Sequence, residues 1–139
     1  MATHSKRNPR SGCPISIALE MLGDPWSLLL VRDLMFKGAR TYKDLLDGGE
    51  GIASNILANR LQKLEDAGIL EKQSDPLDAR RFIYRLSEKG IDLAPVLVEL
   101  VIWSARHETT EAPPPMVRAM RRERAAFIAN VRKRWAASG

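Results

Sequence analysis

Residues 40–68 read RTYKDLLDGGEGIASNILANRLQKLEDAG and contain two helical patterns separated by a glycine-rich break. In the second pattern Leu57, Leu61 and Leu64 recur at i, i+4 and i+7. This spacing places them on one side of a helix, and Gly68 is a typical residue to follow its end. Two helices joined by a glycine-containing turn are typical of a helix-turn-helix.

The opposite side of the second helix carries the polar side chains that base recognition requires. The side-chain amide of asparagine or glutamine can form hydrogen bonds to N6 and N7 of adenine at the same time, and lysine can reach guanine or a phosphate. The residues predicted to contact DNA are Ser54, Asn55, Asn59, Arg60, Gln62 and Lys63. Among them Arg60 is expected to hold a phosphate, and Ser54 is also expected to be the N-cap. Amide-bearing helices also occur in proteins that do not bind DNA, so this stretch alone leaves both interpretations open.

Length and composition predict one globular domain without a catalytic site. The chain has 139 residues, of which 45% are hydrophobic and 28% charged. It has neither a long apolar run nor the apolar segment of a secretory signal, so we expect a cytoplasmic protein without a membrane partner.

Its single cysteine, Cys13, excludes internal disulfides and cysteine-cluster metal sites. In the absence of a nucleophile near a base or a phosphate-binding loop, no metal, cofactor or catalytic residue is expected.

The net charge of +5 is unevenly distributed. Basic residues are concentrated in residues 1–11 and again in 116–139, whereas residues 12–115 are net acidic. A basic average therefore does not by itself predict that the central region binds nucleic acid. The fold must bring the central cations to one face for that to happen.

The segments before the helix-turn-helix predict a basic arm and two helices. Residues 1–12 are expected to be disordered, either as a solvated tail or with additional phosphate contacts, and residues 13–111 to form the folded domain. CPISIALEMLG predicts the first helix, and Asp24-Pro25 predicts the start of the next, with Asp24 as N-cap and Pro25 at N1. That second helix is apolar on nearly every side and should be the buried centre of the domain.

A β-hairpin is predicted directly after the helix-turn-helix. ILEKQ and RFIYRL are strand candidates, and SDPLDAR between them is rich in turn residues. This order indicates a winged helix whose tip carries Arg80 and Arg81, placed for a minor groove or a phosphate backbone. An exposed hairpin with ordinary surface arginines is the alternative. The predicted backbone and wing contacts are Arg40, Thr41, Lys43, Arg80, Arg81 and Arg85, with Thr41 also capping its helix.

The remainder of the chain predicts a partner-binding helix and a basic extension. From Ser87 a long helix is expected, with a kink at Pro95 and more apolar surface than a lone helix needs. The predicted dimer interface consists of Ile15, Leu19, Leu97, Leu100, Val101 and Trp103. Residues 112–139 predict a linker and one basic amphipathic helix, which could dock on the dimer, touch DNA phosphates or lie on an anionic surface, in that order of preference.

These segments together resemble the HxlR family of bacterial transcriptional regulators, winged-helix proteins related to the MarR group. The resemblance covers roughly residues 13–103 and rests on CPISIALEMLGDPWSLLLVRDL, RTYKDL, GIASNILANRLQKLEDAGIL, RRFIYRLSEKG and APVLVELVIW. It implies a homodimer held by the first and late helices, with two recognition helices in successive major grooves of a near-palindromic operator. The family's recognition helix maps onto residues 53–64 and its wing arginine onto Arg81.

The chain departs from the family pattern at several positions. The family often has Gly-Lys-Trp where this chain has Asp24-Pro25-Trp26, and a proline where this chain has Arg80. Many members have serine in place of Ala53, which favours Ser54 as the cap here. The extension after about residue 111 is longer than usual, so the family implies no role for it.

Cys13 matches a frequent cysteine position of the family. In some members that residue senses oxidants or electrophiles, and other members respond to aldehydes, quinones or small metabolites. The N-terminal end of a helix favours a reactive thiolate, and Cys13 is expected to lie at one, so it is a candidate redox sensor; a small packed residue is the alternative.

The sequence thus predicts a mainly α fold with a small β-hairpin: a winged helix-turn-helix with N- and C-terminal dimerisation helices. The expected function is that of a homodimeric, sequence-specific DNA-binding regulator, a repressor of its operator. Its partners would be double-stranded DNA, a second copy of the chain and a small-molecule effector. The alternative is a winged-helix protein–protein interaction module without sequence-specific DNA binding.

Overall fold

Helices dominate the structure, a computed structural model that describes residues 8–138. Most of the predicted basic arm therefore lies outside the described residues. The chain separates into two compact units, one up to Gly90 and one from Ile91 onward. The division into an arm, a domain ending at residue 111 and an extension stays a prediction.

Within residues 8–90, the first unit contains four helices followed by a two-stranded antiparallel hairpin. Its elements are α1 (Pro14–Leu22), α2 (Ser27–Phe36), α3 (Tyr42–Leu46), α4 (Ser54–Asp66), β1 (Leu70–Asp75) and β2 (Asp78–Leu86). The hairpin register pairs Leu70 with Leu86 at its base and Asp75 with Asp78 at its tip. A short helix, α5 (Glu88–Ile91), crosses the boundary between the units. The predicted winged helix-turn-helix is confirmed.

The second unit consists of the helices α6 (Ala94–His107), α7 (Pro114–Arg122) and α8 (Arg124–Ala137). Val98, Ile102 and Met120 form its buried centre, against which Phe127 packs. The long helix predicted from Ser87 is interrupted before Ala94, and Pro95 lies in the first turn of α6, where a missing N–H has no cost. The single C-terminal helix predicted for 112–139 was wrong, because the chain breaks at Glu123.

The core of the first unit forms on the leucine side of α4. Leu57, Leu61 and Leu64 are all buried, as their spacing predicts. From α2, Leu30 and Val31 are buried, while the other apolar residues of that helix are only partly covered. The burial of these leucines leaves the polar side of α4 as the side that can meet a ligand.

The start of α2 differs from its prediction. The helix begins at Ser27 with Trp26 as N-cap, because Pro25 and Trp26 form a turn before it. Asp24 nevertheless satisfies the free amides of the helix start, accepting hydrogen bonds from the backbone N of Trp26 (2.9 Å) and of Ser27 (3.0 Å). It therefore caps the helix from outside it.

Candidate nucleic-acid interface

The outward side of α4 presents the polar residues that the sequence singled out. Ser54, Asn55, Asn59, Gln62 and Lys63 are exposed, whereas Arg60 is half-buried. Asn55 and Lys63 form no side-chain hydrogen bond or ion pair within residues 8–138, so both are available to a ligand. The helix thus offers amides and a cation along one exposed side.

Ser54 was wrongly predicted as the N-cap of α4. Ala53 occupies that place, with extended backbone (φ −73°, ψ 145°) and no side-chain cap. Ser54 is the first helical residue, and its hydroxyl bonds the hydroxyl of Tyr42. The Tyr42 hydroxyl also donates to the backbone O of Ser54 at 2.8 Å. Tyr42 therefore fixes the start of α4 to α3, a contact between residues twelve positions apart that no local sequence pattern reveals.

Arg60 is bonded within the protein. Its Nε donates to Asp24 Oδ2 at 2.9 Å, and the two side chains are only 21% and 19% exposed. Its second nitrogen, NH1, donates to the side-chain oxygen of Asn59. An arginine with both of these donors engaged is poorly placed for the phosphate that the sequence assigned to it.

Asp24 is charged at any ordinary pH. Burial by itself would raise the pKa of this carboxyl, but hydrogen bonds from Ser27, Trp26 and Arg60 outweigh it and hold the pKa at about 2. The carboxylate therefore keeps its charge opposite Arg60 and anchors α4 to the start of α2. A separation of 36 residues hides this pairing from any local sequence pattern.

The turn between α3 and α4 lies close against the buried Asp33 of α2. A Cβ atom on Gly48 would lie 2.4 Å from Asp33 Oδ2, so only glycine lets the turn approach the carboxylate this closely. Arg32 bonds both Asp33 (2.8 Å) and Glu50 (2.9 Å), and Lys37 Nζ donates to the Gly48 carbonyl at 3.3 Å. These contacts fix α4 relative to the rest of the helix-turn-helix.

The predicted backbone contacts near α3 differ in availability. Thr41 caps α3 as predicted, in a capping box with Asp44. Arg40 is exposed, and its carbonyl accepts a hydrogen bond from the backbone N of Tyr84 at 2.7 Å, which joins α3 to β2. Lys43 is exposed but paired with Asp47 at 2.7 Å.

The wing tip was predicted incorrectly. Because Asp75 pairs with Asp78, only Pro76 and Leu77 form the turn, and Leu77 is 95% exposed. Arg80 and Arg81 lie in β2 rather than at the tip.

The wing arginines also differ from one another. Arg80 Nε donates to Asp78 Oδ1 at 3.2 Å. Arg81 is exposed and forms no hydrogen bond or ion pair with another described residue, so it is the more available cation. Arg85 is half-buried in β2, opposite Glu71.

The predicted dimer residues separate into exposed and packed sets. Ile15 and Leu19 of α1 are 70% and 57% exposed. In the second unit Leu100 and Trp103 are exposed, whereas Leu97 is buried and Val101 packs against the core of that unit. Leu97 and Val101 are thus poorly suited to contact a partner.

Cys13 is exposed and is the N-cap of α1. Its backbone N donates to Ser11 Oγ at 3.2 Å. The thiol therefore belongs to the surface and is not the small packed residue of the alternative interpretation.

Residues 8–138 contain no group of three or more His, Cys, Asp or Glu that could hold a metal ion. Within the same range, no single helix combines the length and apolar character of a membrane span. Helices α1 and α2 meet those criteria only when they are taken together, and the pair is bent by 79°.

Comparison with known proteins identifies relatives over most of the chain. A family profile described as HxlR-like helix-turn-helix matches residues 21–112. An uncharacterized HTH-type transcriptional regulator of Synechocystis is 36% identical over 88 residues, which are 63% of this chain and 64% of that relative. The HTH-type transcriptional regulator YodB of Bacillus subtilis is 34% identical over 93 residues, 66% of this chain and 82% of YodB.

Solved structures show the same fold. The crystal structure of the candidate transcription factor PA1607 superposes with a TM-score of 0.66 at 32% identity, covering 75% of this chain and 71% of that one. The reduced form of YodB superposes with a TM-score of 0.58 at 31% identity, covering 70% and 95%. The redox regulator HypR in its oxidized form, at 22% identity and a TM-score of 0.60, shares the fold over 70% of this chain and 100% of that one.

Proposed function

The chain belongs to the HxlR-like helix-turn-helix family, and on this basis we propose that it is a sequence-specific DNA-binding transcriptional regulator. Its relatives include proteins named HTH-type transcriptional regulators. The observation that carries the proposal is the division of α4 into two sides: its leucines are buried, and its amides and Lys63 face solvent. An exposed polar helix side of this kind fits the major groove.

Base contacts are assigned to the exposed side of α4. Asn55, Asn59 and Lys63 lie along it with Gln62 further on, and Ser54 stands at its start, where its hydroxyl is shared with Tyr42. Amides and a lysine can distinguish base pairs by their donors and acceptors in the major groove. The recognition helix therefore supplies the sequence specificity.

Phosphate contacts are assigned to exposed cations near α3 and in the wing. Arg40 and Arg81 are exposed without an ion-pair partner among the described residues, whereas Lys43 and Arg80 are each paired with an aspartate. Arg40 and Arg81 should therefore contribute most to the salt dependence of DNA binding. Each phosphate that is neutralised adds roughly 0.9 to the slope of log K against log salt concentration. Arg60 is no longer among the phosphate ligands, because Asp24 holds it.

The proposed assembly is a homodimer on a near-palindromic operator, acting as a repressor in the cytoplasm. Exposed apolar side chains on α1 and α6 support it, namely Ile15, Leu19, Leu100 and Trp103. A two-fold axis would place the recognition helices about one turn of B-DNA apart (~34 Å). A small-molecule effector is proposed by analogy with the quinone-bound form known for YodB.

Selection of binding sites from a random duplex library tests the proposal. The full-length protein should return a near-palindromic motif. Asn59→Ala should weaken binding to that motif by roughly 1–3 kcal/mol and blur one base position. Arg81→Ala should weaken all sequences similarly and lower the salt slope by roughly one, and Arg80→Ala is its matched control with a smaller effect. If both main variants bind cognate and random duplex like wild type, α4 is not the recognition helix.

A protein–protein interaction module is the second candidate. The net acidic charge of residues 12–115 and the exposed Leu77 at the wing tip, between two aspartates, favour it. The library selection separates the two candidates, because an interaction module returns no motif. No catalytic role is proposed.

Redox control through Cys13 is a further part of the proposal. The thiol is exposed, and YodB has been solved in reduced and diamide-treated forms. Diamide would oxidise two thiols to a disulfide, and with one cysteine per chain the partner sulfur must come from a second chain or a small thiol. Diamide should therefore change the DNA affinity of wild type but not of Cys13→Ser. Equal responses would remove Cys13 from the mechanism.

A further inference from the structure

The hydrogen bonds around Arg60 bear on which base α4 can recognise. Resting on the DNA-binding role proposed above, we propose that Arg60 is a positioning residue that turns the Asn59 amide so that its NH₂ group faces the DNA. The helix would then present a hydrogen-bond donor at this position. A base edge with acceptors, guanine above all, would be preferred over cytosine.

Arg60 can orient the Asn59 amide because Asp24 holds the guanidinium of Arg60 in place. Its Nε donates to Asp24 Oδ2 at 2.9 Å, and both side chains are about four-fifths buried. The same carboxylate accepts hydrogen bonds from the Ser27 hydroxyl and from the backbone N atoms of Trp26 and Ser27. Asp24 cannot move without breaking these bonds, so the guanidinium has one favoured place.

The chemistry of the guanidinium then fixes the orientation of the Asn59 amide. Arginine carries only donors, so the atom of Asn59 that meets Arg60 NH1 must be the oxygen. The Nδ2 group lies on the other side of the amide carbon and points away from Arg60. Because Asn59 itself is exposed, Nδ2 is accessible to a ligand.

An outward NH₂ group discriminates among bases in the major groove. Guanine offers two neighbouring acceptors there, N7 and O6, and thymine offers O4, whereas cytosine offers only an N4 donor. Adenine is recognised best by an amide that donates to N7 and accepts from N6, and the accepting oxygen of Asn59 is turned toward Arg60. The adenine contact that the sequence suggested for this asparagine is therefore disfavoured.

Gln62 shows why the argument applies to Asn59 alone. Its Nε2 donates to Asp66 Oδ1 at 2.9 Å, which would leave the oxygen facing outward. Both residues are exposed, and Asp66 has no further side-chain bond within residues 8–138. DNA can rotate that amide at little cost, so its orientation predicts no base.

The test uses the full-length protein and a motif selected from random duplexes. Asn59→Ala first identifies the operator position that depends on this side chain. Wild type should favour guanine or thymine over cytosine there by about tenfold, equivalent to ~1.4 kcal/mol. Arg60→Lys keeps a cation beside Asp24 but replaces two separated nitrogens by one ammonium. It should therefore fold normally and reduce the preference at that position to about twofold.

Two controls distinguish positioning from a general structural role. Lys72→Met removes an exposed cation of β1 that is not among the proposed DNA contacts, and it should leave the Asn59-dependent preference unchanged. In the free protein, the side-chain amide resonance of Asn59 should shift in Arg60→Lys and stay in place in Lys72→Met. Adding Arg60→Lys to Asn59→Ala should cause no further loss of preference at that position.

The outcomes separate this inference from the DNA-binding role. If Arg60→Lys weakens all sequences equally and keeps the base preference, or if cytosine is preferred, the positioning role is refuted while the regulator proposal stands. If wild type selects no motif, the DNA-binding role fails and this inference falls with it. A flattened preference at the Asn59 position with unchanged preferences elsewhere supports both.

Discussion

Asp24 should stabilise the first unit in a pH-dependent way. Its pKa falls from the ordinary 3.8 to about 2, since hydrogen bonds to the carboxylate outweigh its burial. A change of one in pKa corresponds to ~1.36 kcal/mol, so this fall corresponds to roughly 2.4 kcal/mol. Solvent reaches a side chain that is 19% exposed and weakens its interactions, so we expect about 1–2 kcal/mol.

Asp24→Asn tests this magnitude, because asparagine keeps an oxygen for the backbone amides but has no charge for Arg60. A carboxyl with a lowered folded-state pKa stabilises the protein fully above its unfolded-state pKa, and this stabilisation is lost as the pH falls through the folded-state value. The variant should therefore unfold in urea with a free energy about 1–2 kcal/mol lower than wild type at neutral pH. The difference should shrink between about pH 4 and about pH 2.

Asp47→Asn is the matched control. Its partner Lys43 is 80% exposed, so this aspartate should add little to stability at any pH. The free energy of unfolding of Asp24→Asn could instead differ from that of wild type by the same amount from neutral to acid pH. That result would show that the carboxylate acts by its shape and not by its charge. Equal stability at neutral pH would refute the anchoring of α4 through Arg60.

Four further variants test the packing and the proposed assembly. Leu57→Ala removes a side chain that is 0% exposed and should lower the free energy of unfolding in urea by about 2–5 kcal/mol; a smaller change would mean that α4 is loosely packed. Gly48→Ala would place a Cβ atom 2.4 Å from Asp33 Oδ2 and should cost about 1–3 kcal/mol in the same assay, and a neutral result would show that the turn can move aside. Leu19→Glu changes a 57% exposed residue and should convert the proposed dimer to monomer in sedimentation, whereas Leu77→Glu, at a 95% exposed tip, should not. Equal sedimentation of the two variants would exclude α1 from the interface.

The helix-turn-helix could be predicted because its signals are local. Leucines at i, i+4 and i+7 fall on one side of any α-helix, so their burial follows from helical geometry alone. Thr41 and Asp44 form a capping box within one turn, which the sequence also displays. Features that depend on neighbours a few residues away are accessible to sequence reasoning.

The element boundaries that were predicted wrongly depend on tertiary contacts. The apolar pattern of the C-terminal segment continues across Glu123, yet the chain breaks there so that Met120 and Phe127 can both pack against α6. In the hairpin, the pairing of Asp75 with Asp78 shortens the turn and places Arg80 and Arg81 within β2. Neither the break nor the register leaves a periodic signal.

The role of Arg60 depends on a tertiary contact that the sequence does not display. On the sequence it is one more cation on a recognition helix, and only the fold brings Asp24 to within 2.9 Å of it. In the family pattern that the sequence resembles, glycine often stands at the position of Asp24, and glycine has no carboxylate to hold an arginine. A relative with glycine there lacks this anchor for its recognition helix, so an asparagine matching Asn59 would be free to turn either edge toward a base. On the positioning role proposed for Arg60, the base preference of such a relative should not transfer to this chain, and introducing an aspartate at that position in the relative should move its preference toward an acceptor-bearing base.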